Sequence, residues 1–327
     1  MRKSRTKPEA QPETGTKLLV AMTGKASAGK AARPWRMRNY GLVVLVAAAF
    51  AGSAHTTTAG AQAMRTPESK GYAKVNGVEL YYEVHGDGPP LIMLHGGVTP
   101  SEMFGAPLAE MARAHKVVAL HARGHGLSTD SSRPWSFEVF ADDVAALMGH
   151  LGITKASVMG YSSGALVALQ TAIRHPHLVD KLIVVSTAFR SNGLYPEVLE
   201  AFAQMPSAAP TIAADVRKSP LASLYPSVNW ETVFRKTGEL ANRSYDWSAS
   251  VADIKAPTLL MFADADMMRP EHVVEFYKLL GGGQRDAGLD GSLRSPNRLA
   301  IIPNTTHLTL LGSAAVMQFA SAFLKSQ

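Results

Sequence analysis

Ser162 is the residue of this chain whose type and setting point most directly to chemistry. It is the centre of Gly160-Tyr161-Ser162-Ser163-Gly164, which follows the apolar run 156–159 and precedes a helical pattern over residues 165–174. A strand, a sharp turn and a helix hold such a serine in a strained backbone conformation, while the glycines let strand and helix approach closely. The pattern predicts an exposed nucleophilic hydroxyl, although Gly-x-Ser-x-Gly also occurs by chance in ordinary loops.

Two aspartates and a histidine farther along the chain could activate this serine. A serine hydroxyl attacks only when a base removes its proton and a carboxylate orients that base. Asp264 and Asp266 lie at the end of one apolar run, and His307 follows the next. Because parallel sheets gather their ligands at the carboxyl ends of the strands, we expect these side chains near Ser162. The alternatives are that an aspartate caps the next helix and that His307 merely begins the last one.

Backbone N–H groups that could stabilise an oxyanion lie at two places. The N–H of Ser163 is at the start of the predicted helix, where the helix dipole favours negative charge. His95-Gly96-Gly97 ends another apolar run and lets an N–H turn toward the serine, with Gly97 the favoured donor and Gly96 the alternative. A plain glycine turn is the other interpretation of this segment, and His95 is expected to be structural.

Strand and helix patterns alternate through most of the chain, which predicts an α/β fold. The predicted strands cover residues 73–75, 78–84, 91–94, 116–120, 156–159, 182–186, 258–263 and 299–302. The predicted helices cover residues 102–115, 137–151, 165–174, 271–280 and 308–324. Asn76-Gly77 predicts a hairpin between the first two strands, and helices between the later strands favour parallel pairing. We therefore expect a mostly parallel eight-stranded sheet with helices on both faces.

The alternation stops between residues 188 and 252, which contain five prolines, short helical patches and no convincing strand. We expect this segment to be an inserted helical cap, with the core divided into residues 64–187 and 253–327. Large side chains of the cap could line an apolar pocket, or form the cap's own small core, which is slightly favoured for most of them. They are Tyr195, Phe202, Met205, Tyr225, Trp230, Phe234 and Trp247. The Gly-rich loop 281–296 is expected to decorate the surface.

Residues 1–63 are expected to be a basic extension and a secretory signal peptide, outside the fold. Basic residues precede the apolar run 41–51, and Ala61-Gln62-Ala63 follows it, which predicts cleavage after Ala63 and a periplasmic or secreted protein without stable membrane insertion. An uncleaved anchor is the alternative, but the run is shorter than the roughly 18 apolar residues of a span. Met37 is a second candidate start.

The formal net charge of +7 comes from the N-terminal extension. Residues 1–36 contain nine Lys and Arg against two Glu, whereas residues 64–327 contain 23 basic and 24 acidic side chains. The nearly neutral main part gives little support to nucleic-acid binding. The chain contains no cysteine, which excludes disulfides, a thiol nucleophile and thiolate metal sites. Residues 64–327 also show no metal-ligand cluster, phosphate loop or dinucleotide fingerprint, so we expect neither a cofactor nor a metal.

Taken in order, these motifs resemble those of the α/β-hydrolase superfamily across residues 72–327. The motifs are His95-Gly96-Gly97, Arg123-Gly124-His125-Gly126-Leu127-Ser128, Gly160-Tyr161-Ser162-Ser163-Gly164, Ala263-Asp264-Ala265-Asp266 before Pro270, and His307. The resemblance implies a catalytic Ser162, Asp266 and His307, with Asp264 as the fallback acid. It implies Gly97 and Ser163 as the oxyanion-hole donors. His121 departs from the many relatives that have an aspartate there, which leaves local salt bridging open.

The resemblance implies a serine hydrolase that cleaves small-molecule carboxylic esters or lactones through an acyl-enzyme. A serine nucleophile argues against relatives that use aspartate, such as haloalkane dehalogenases and epoxide hydrolases. One alternative is a carbon–carbon bond hydrolase of the same superfamily acting on vinylogous diketones, and a perhydrolase side activity is also compatible. Another is a ligand-binding receptor that retains the triad but turns over slowly.

Overall fold

The computed structural model describes residues 66–98 and 100–326. The predicted signal peptide and its cleavage site lie outside these residues and stay predictions. Eight strands form one sheet in the order β1-β2-β4-β3-β5-β6-β7-β8. They are β1 Ser69–Val75, β2 Val78–His85, β3 Pro90–Leu94, β4 Lys116–Leu120, β5 Ala156–Tyr161, β6 Val179–Val185, β7 Thr258–Ala265 and β8 Arg298–Thr306. β2 is antiparallel to β1 and β4 and the other pairs are parallel, which confirms the predicted sheet.

Helices cover both faces of this sheet. They are α1 Ala106–Met111, α2 Phe137–His150, α3 Ser163–Arg174, α4 Pro196–Val216, α5 Pro220–Leu224, α6 Trp230–Ala241, α7 Ser248–Ala252, α8 Pro270–Leu279, α9 His307–Leu310 and α10 Ala314–Lys325. Alternate residues of a strand point to opposite faces, so Ile92 packs with α2 and α3, whereas Met93 packs with α1 and α10. None of the helices in the described part of the chain is both long and apolar enough to cross a bilayer.

Two predicted helices are wrong in their continuity. The predicted helix 102–115 is a 3₁₀ turn, Ser101–Phe104, followed by α1, because Gly105 between them has φ 47°. The predicted helix 308–324 is divided into α9 and α10, and Ser313 at the N-cap position of α10 has extended backbone angles. Glycine adopts positive φ without a Cβ clash, which explains the break at Gly105, and it is a poor helix former, which is consistent with the break at Gly312.

Residues 188–252 are helical but more regular than expected. Instead of short patches, α4 runs unbroken for 21 residues with Pro206 and Pro210 inside it. A proline inside a helix costs about 3 kcal/mol, and burial of one face of α4 offsets this cost. The helix packs closely on α6, where a Cβ added at Gly238 would lie 2.6 Å from Pro206 Cδ. No strand occurs in residues 188–252, all of which are described.

A buried ion pair ties the edge hairpin to the helical layer. Arg123 donates to both oxygens of Asp143 on α2, at 2.8 and 2.9 Å, and to Ser131 Oγ at 2.9 Å. It also donates to the carbonyl of Asn76, whose side chain donates to Asp143 at 2.9 Å. The two charged side chains are 0% and 3% exposed. The pair therefore depends on this complete set of partners, because neither charge is solvated.

We expect Asp143→Ala to lower the free energy of unfolding by about 3–5 kcal/mol, because it leaves the Arg123 charge buried and without its counter-ion. Asp142→Ala is the matched control one position earlier on α2. Its pair with Arg174 is 28% and 40% exposed, so the loss should be about 1 kcal/mol or less. Urea unfolding measures the free-energy loss in both variants, provided that their m-values equal that of the wild type. Equal losses in the two variants would contradict the prediction.

Candidate active site

Ser162 lies in a tight turn between β5 and α3. Its backbone has φ 55° and ψ −121°, and its N–H donates to the carbonyl of Val185 at 2.9 Å. A Cβ at Gly160 would lie 2.2 Å from the oxygen of Gly164, and one at Gly164 would lie 2.3 Å from the oxygen of Leu94. Only glycine fits either position. The structure therefore has both features predicted for this turn: strand and helix approach closely, and the serine backbone is strained.

The side chains of Ser162, His307 and Asp266 meet above the carboxyl ends of the strands. His307 Nε2 is 3.0 Å from Ser162 Oγ, and Nδ1 is 3.1 Å from Asp266 Oδ1. Ser162 and His307 are 145 positions apart in the sequence, and His307 and Asp266 are 41 apart. His307 is the first residue of α9, directly after β8. Such a chain of contacts can pass the serine proton to the imidazole.

Asp266 is fixed by several donors. Its Oδ2 accepts the N–H of Ala263 at 3.0 Å, and its Oδ1 accepts the N–H of Met267 at 2.7 Å. Burial disfavours the charged carboxylate, but the hydrogen bond and positive potential of His307 and the N–H of Ala263 together hold the pKa of Asp266 below its ordinary value. Asp266 is therefore ionised at neutral pH, as an orienting partner for an imidazole must be.

Asp264, the alternative acid, holds the chain rather than the histidine ring. Its exposed carboxylate accepts the N–H of Asn304 at 3.1 Å and of Thr305 at 3.0 Å. These backbone donors lower the pKa of Asp264. Arg269 occupies the N-cap position of α8 and makes no side-chain cap, so neither aspartate caps that helix. Asp264 thus holds the end of β8 just before His307, and Asp266 is the aspartate in contact with the ring.

Tyr161, the first variable position of the Gly-x-Ser-x-Gly motif, holds His307 through a hydrogen bond and a ring contact. Its hydroxyl donates to the carbonyl of His307 at 2.5 Å, and the two rings stack at 5.3 Å with an interplanar angle of 28°. Burial and then the charge of Asp266 raise the pKa of Tyr161, so the phenol stays protonated and remains a donor. The backbone and the ring of His307 are therefore both held in place.

Ser186 is a neighbour of this group that no sequence motif marks. It follows β6, and its Oγ lies 2.7 Å from Asp266 Oδ1 and 2.6 Å from His307 Nδ1. The available signal was its position: it is a polar residue at the carboxyl end of the strand beside β5, at the edge where the other site residues gather.

The loop after β3 lies against the serine. A Cβ at Gly96 would be 3.5 Å from Ser162 Cβ, and the Gly96 N–H points to Met103 Sδ at 3.2 Å. His95 Nδ1 donates to the carbonyl of Gly96 at 2.7 Å, while Nε2 accepts the N–H of Ala122 at 2.9 Å. Burial, with repulsion from His125, lowers the pKa of His95 to about 3, so it is neutral.

These contacts bear on the choice of oxyanion donor. The N–H of Gly96 is already directed to a sulfur atom, which leaves Gly97 as the better of the two glycine donors. Ser163 is the first residue of α3, and the first N–H groups of a helix have no acceptor within it. The donor roles of Gly97 and Ser163 stay predictions.

His121, the departure from the family pattern, is fully buried. Its Nδ1 accepts the N–H of Leu127 at 3.0 Å, and its Nε2 lies 3.0 Å from Ser101 Oγ and 3.4 Å from Glu102 Oε2. Arg123 pairs with Asp143 on α2 instead of with a neighbour at position 121. Within residues 66–98 and 100–326, no three His, Asp or Glu side chains are placed to hold a metal ion.

The helical segment 188–252 contacts the core loops near the site. Lys236 of α6 pairs with Asp130 at 2.5 Å and lies over the ring of Trp135, 5.2 Å from its centroid. A Cβ at Gly97 would be 3.8 Å from Thr237 Cγ2. The fully buried members of the candidate pocket set are Met205, Tyr225, Trp230 and Phe234, with Phe202 and Trp247 packed against the same core. Their burial supports the interpretation that most of them form a core.

Comparisons with known proteins agree with this fold. Residues 89–229 match the family model described as alpha/beta hydrolase fold. RutD of Azorhizobium caulinodans, provisionally named a carbamate hydrolase, is 30% identical over 223 residues, which cover 62% of this chain and 83% of RutD. The structure of the enol-lactonase from Burkholderia xenovorans LB400 has a TM-score of 0.61 at 22% identity, covering 78% of this chain and 100% of that one. Carboxylesterase CesB of Bacillus subtilis has a TM-score of 0.61 at 20% identity, covering 87% and 98%.

Proposed function

The chain belongs to the α/β-hydrolase family, and we propose that it is a serine hydrolase of small carboxylic esters or lactones that works through an acyl-enzyme. The observation that carries the proposal is the line of contacts from Ser162 Oγ to His307 Nε2 and from His307 Nδ1 to Asp266, at 3.0 and 3.1 Å. A hydrolase of this family acts on a small molecule, and a serine activated in this way is suited to attack on an electrophilic carbonyl carbon.

Acylation begins when Ser162 attacks the carbonyl carbon. His307 Nε2 takes the hydroxyl proton, and Asp266 stabilises the imidazolium that forms without itself accepting that proton. Negative charge develops on the carbonyl oxygen, where the N–H groups of Gly97 and Ser163 would donate to it. Collapse of the tetrahedral intermediate expels the alcohol oxygen, which receives the proton from His307.

Deacylation repeats these steps with water. His307 removes a proton from a water molecule that attacks the ester bond to Ser162, and the carboxylic acid leaves as Ser162 regains its proton. For a lactone, both product groups remain in one hydroxy acid. The same residues would cleave a carbamate, the bond in the name of the relative RutD, if its nitrogen were protonated on leaving.

We assign residues 188–252 to a cap over this site. The approach of Thr237 to Gly97 supports this assignment, since it brings α6 to the loop that lies against the serine, and the Lys236–Asp130 pair joins the same helix to a second core loop. A cap that excludes water strengthens the electrostatic interactions within a site. It would also set the size of the acyl group that enters.

Reaction with a fluorophosphonate tests the nucleophile. The intact mass of the protein should increase by one adduct, and Ser162→Ala should abolish the increase because the activated hydroxyl is gone. Ser157→Ala is a matched control, since it removes a buried serine hydroxyl from the start of β5. No adduct on folded wild-type protein would overturn the serine-hydrolase proposal and favour a binding protein.

Turnover of a matched substrate panel tests the bond cleaved. Simple p-nitrophenyl esters, lactones of different ring size, an aryl carbamate and a vinylogous diketone should be compared by kcat/KM with product analysis. We expect hydrolysis of the esters or lactones to be the fastest. Preferential cleavage of the diketone would instead indicate a carbon–carbon bond hydrolase, and a labelled protein without turnover would indicate a receptor.

A further inference from the structure

Ser186 occupies a costly position that the proposed mechanism does not require. It follows β6 with φ 56°, a left-handed conformation that is uncommon for serine, and it is only 1% exposed. Its N–H donates to the carbonyl of Met261 at 2.8 Å, which keeps the backbone beside β7. Strained residues persist only when the surrounding structure determines them, and they concentrate at functional sites.

The hydroxyl of Ser186 has three close polar neighbours. Its Oγ lies 2.7 and 2.8 Å from the two oxygens of Asp266, and 2.6 Å from His307 Nδ1. A hydroxyl carries one proton, and an ionised carboxylate can only accept. Ser186 therefore donates to Asp266, and its lone pairs face Nδ1 of the imidazole.

The proton on His307 Nδ1 consequently has two acceptors. Asp266 Oδ1 is 3.1 Å away, whereas Ser186 Oγ is 2.6 Å away, so the shorter contact is to the serine. Asp266 keeps its orientation through the N–H groups of Ala263 and Met267. The hydrogen bonds thus form a chain from the imidazole to the hydroxyl to the carboxylate, alongside the direct bond.

From this geometry we propose that Ser186 is a fourth member of the active site, a positioning residue that accepts the His307 Nδ1 proton and donates to Asp266. The inference rests on the proposed function, because it assigns Ser186 to the same base. The Ser186 proton and the Nδ1 proton stay where they are during the reaction. Their role is to fix the tautomer that leaves Nε2 free for Ser162 and to stabilise the imidazolium.

Kinetics of Ser186→Ala test this role. We expect kcat to fall about tenfold to a hundredfold, because a hydrogen bond to a charged group is lost while the direct His307–Asp266 bond remains. KM should change little, since Ser186 lies at Nδ1, on the far side of the ring from the serine nucleophile. Ser157→Ala, which removes a buried hydroxyl elsewhere in the sheet, should retain the wild-type kcat.

Ser186→Gly separates the effect of losing the hydroxyl from the effect of backbone strain. Glycine also lacks the hydroxyl but adopts φ 56° freely, so this variant relieves the strain that Ala keeps, and it serves if Ser186→Ala folds poorly. Both variants should lose similar activity. A folded variant with the wild-type kcat, or recovery of activity in Ser186→Gly alone, would overturn the inference.

Two further readouts respond to positioning and not to packing. The far-downfield proton resonance of His307 Nδ1 should shift in Ser186→Ala and stay in place in Ser157→Ala, and an unshifted signal would contradict the inference. In an Asp266→Asn background, Ser186→Ala should cost less than about threefold in kcat, because the hydrogen-bond chain no longer ends on a charge. The resonance is measured without substrate, so a protein that lacked esterase activity would refute the proposed function while this test still decided the role of Ser186.

Discussion

Ser162→Ala, His307→Gln and the double variant are each expected to lower kcat by about a millionfold, and by nearly the same factor. The two side chains act as one unit. The hydroxyl is a poor nucleophile without the base, and without the hydroxyl the base has no nucleophile to deprotonate. Steady-state turnover of a p-nitrophenyl ester, with burst analysis, measures all three. A residual rate above that of water should remain, because oxyanion donors and binding contacts are intact.

The double variant is what makes this prediction informative. If Ser162 and His307 acted independently, the losses would multiply, and the double variant would be far slower than either single variant. Retention of substantial activity in Ser162→Ala would show that another group attacks the carbonyl. Circular dichroism and thermal unfolding of each variant serve as the folding controls, with Ser157→Ala as the active reference.

Asp266→Asn is expected to lower kcat by about 10,000-fold with little change in KM. The carboxylate of Asp266 accepts from His307, Ala263 and Met267, so an amide would place a donor against donors and favour the wrong imidazole tautomer. Its pKa is held below the ordinary value, so the wild-type carboxylate is charged across the neutral range, and Asn removes that charge.

Asp264→Asn makes the same chemical change two residues earlier and is the matched control. Asp264 is exposed and accepts the backbone N–H groups of Asn304 and Thr305, so we expect a loss of a few-fold at most in kcat. The saturating rate of ester hydrolysis compares the two. A larger loss in Asp264→Asn than in Asp266→Asn would make Asp264 the acid.

Periodicity and motif order were sufficient to predict the eight strands of the sheet and the side chains that lie near Ser162. The central strands β3 to β7 each contain a largely apolar run, because strands buried between two layers of helices have no polar face to confuse the pattern. The proximity of His307 to Ser162 followed from the rule that parallel strands present their carboxyl ends at one edge. The residue pattern left Asp264 and Asp266 both open, and only the family resemblance favoured Asp266, since their contacts depend on how the end of β8 lies against the end of β7.

The features that were missed have two causes, a local backbone conformation in one case and contacts between distant segments in the others. The break at Gly105 is a local choice of positive φ that apolar periodicity does not encode. The prolines of α4 predict a shorter helix, but packing against α6 outweighs this local propensity and the helix is unbroken. Ser186 has no motif of its own, and its role is visible only when β6, β7 and the loop before α9 are brought together.

The placement of β8 has a consequence for how the chain is made. His307 follows the edge strand of the sheet, 145 positions after Ser162, and within the sheet β8 pairs with β7 alone. Ser162 and its turn are therefore synthesised before the base. A serine hydroxyl without its base is a poor nucleophile, so under the proposed mechanism Ser162 stays unactivated until β8 has paired with β7 and placed His307 beside it.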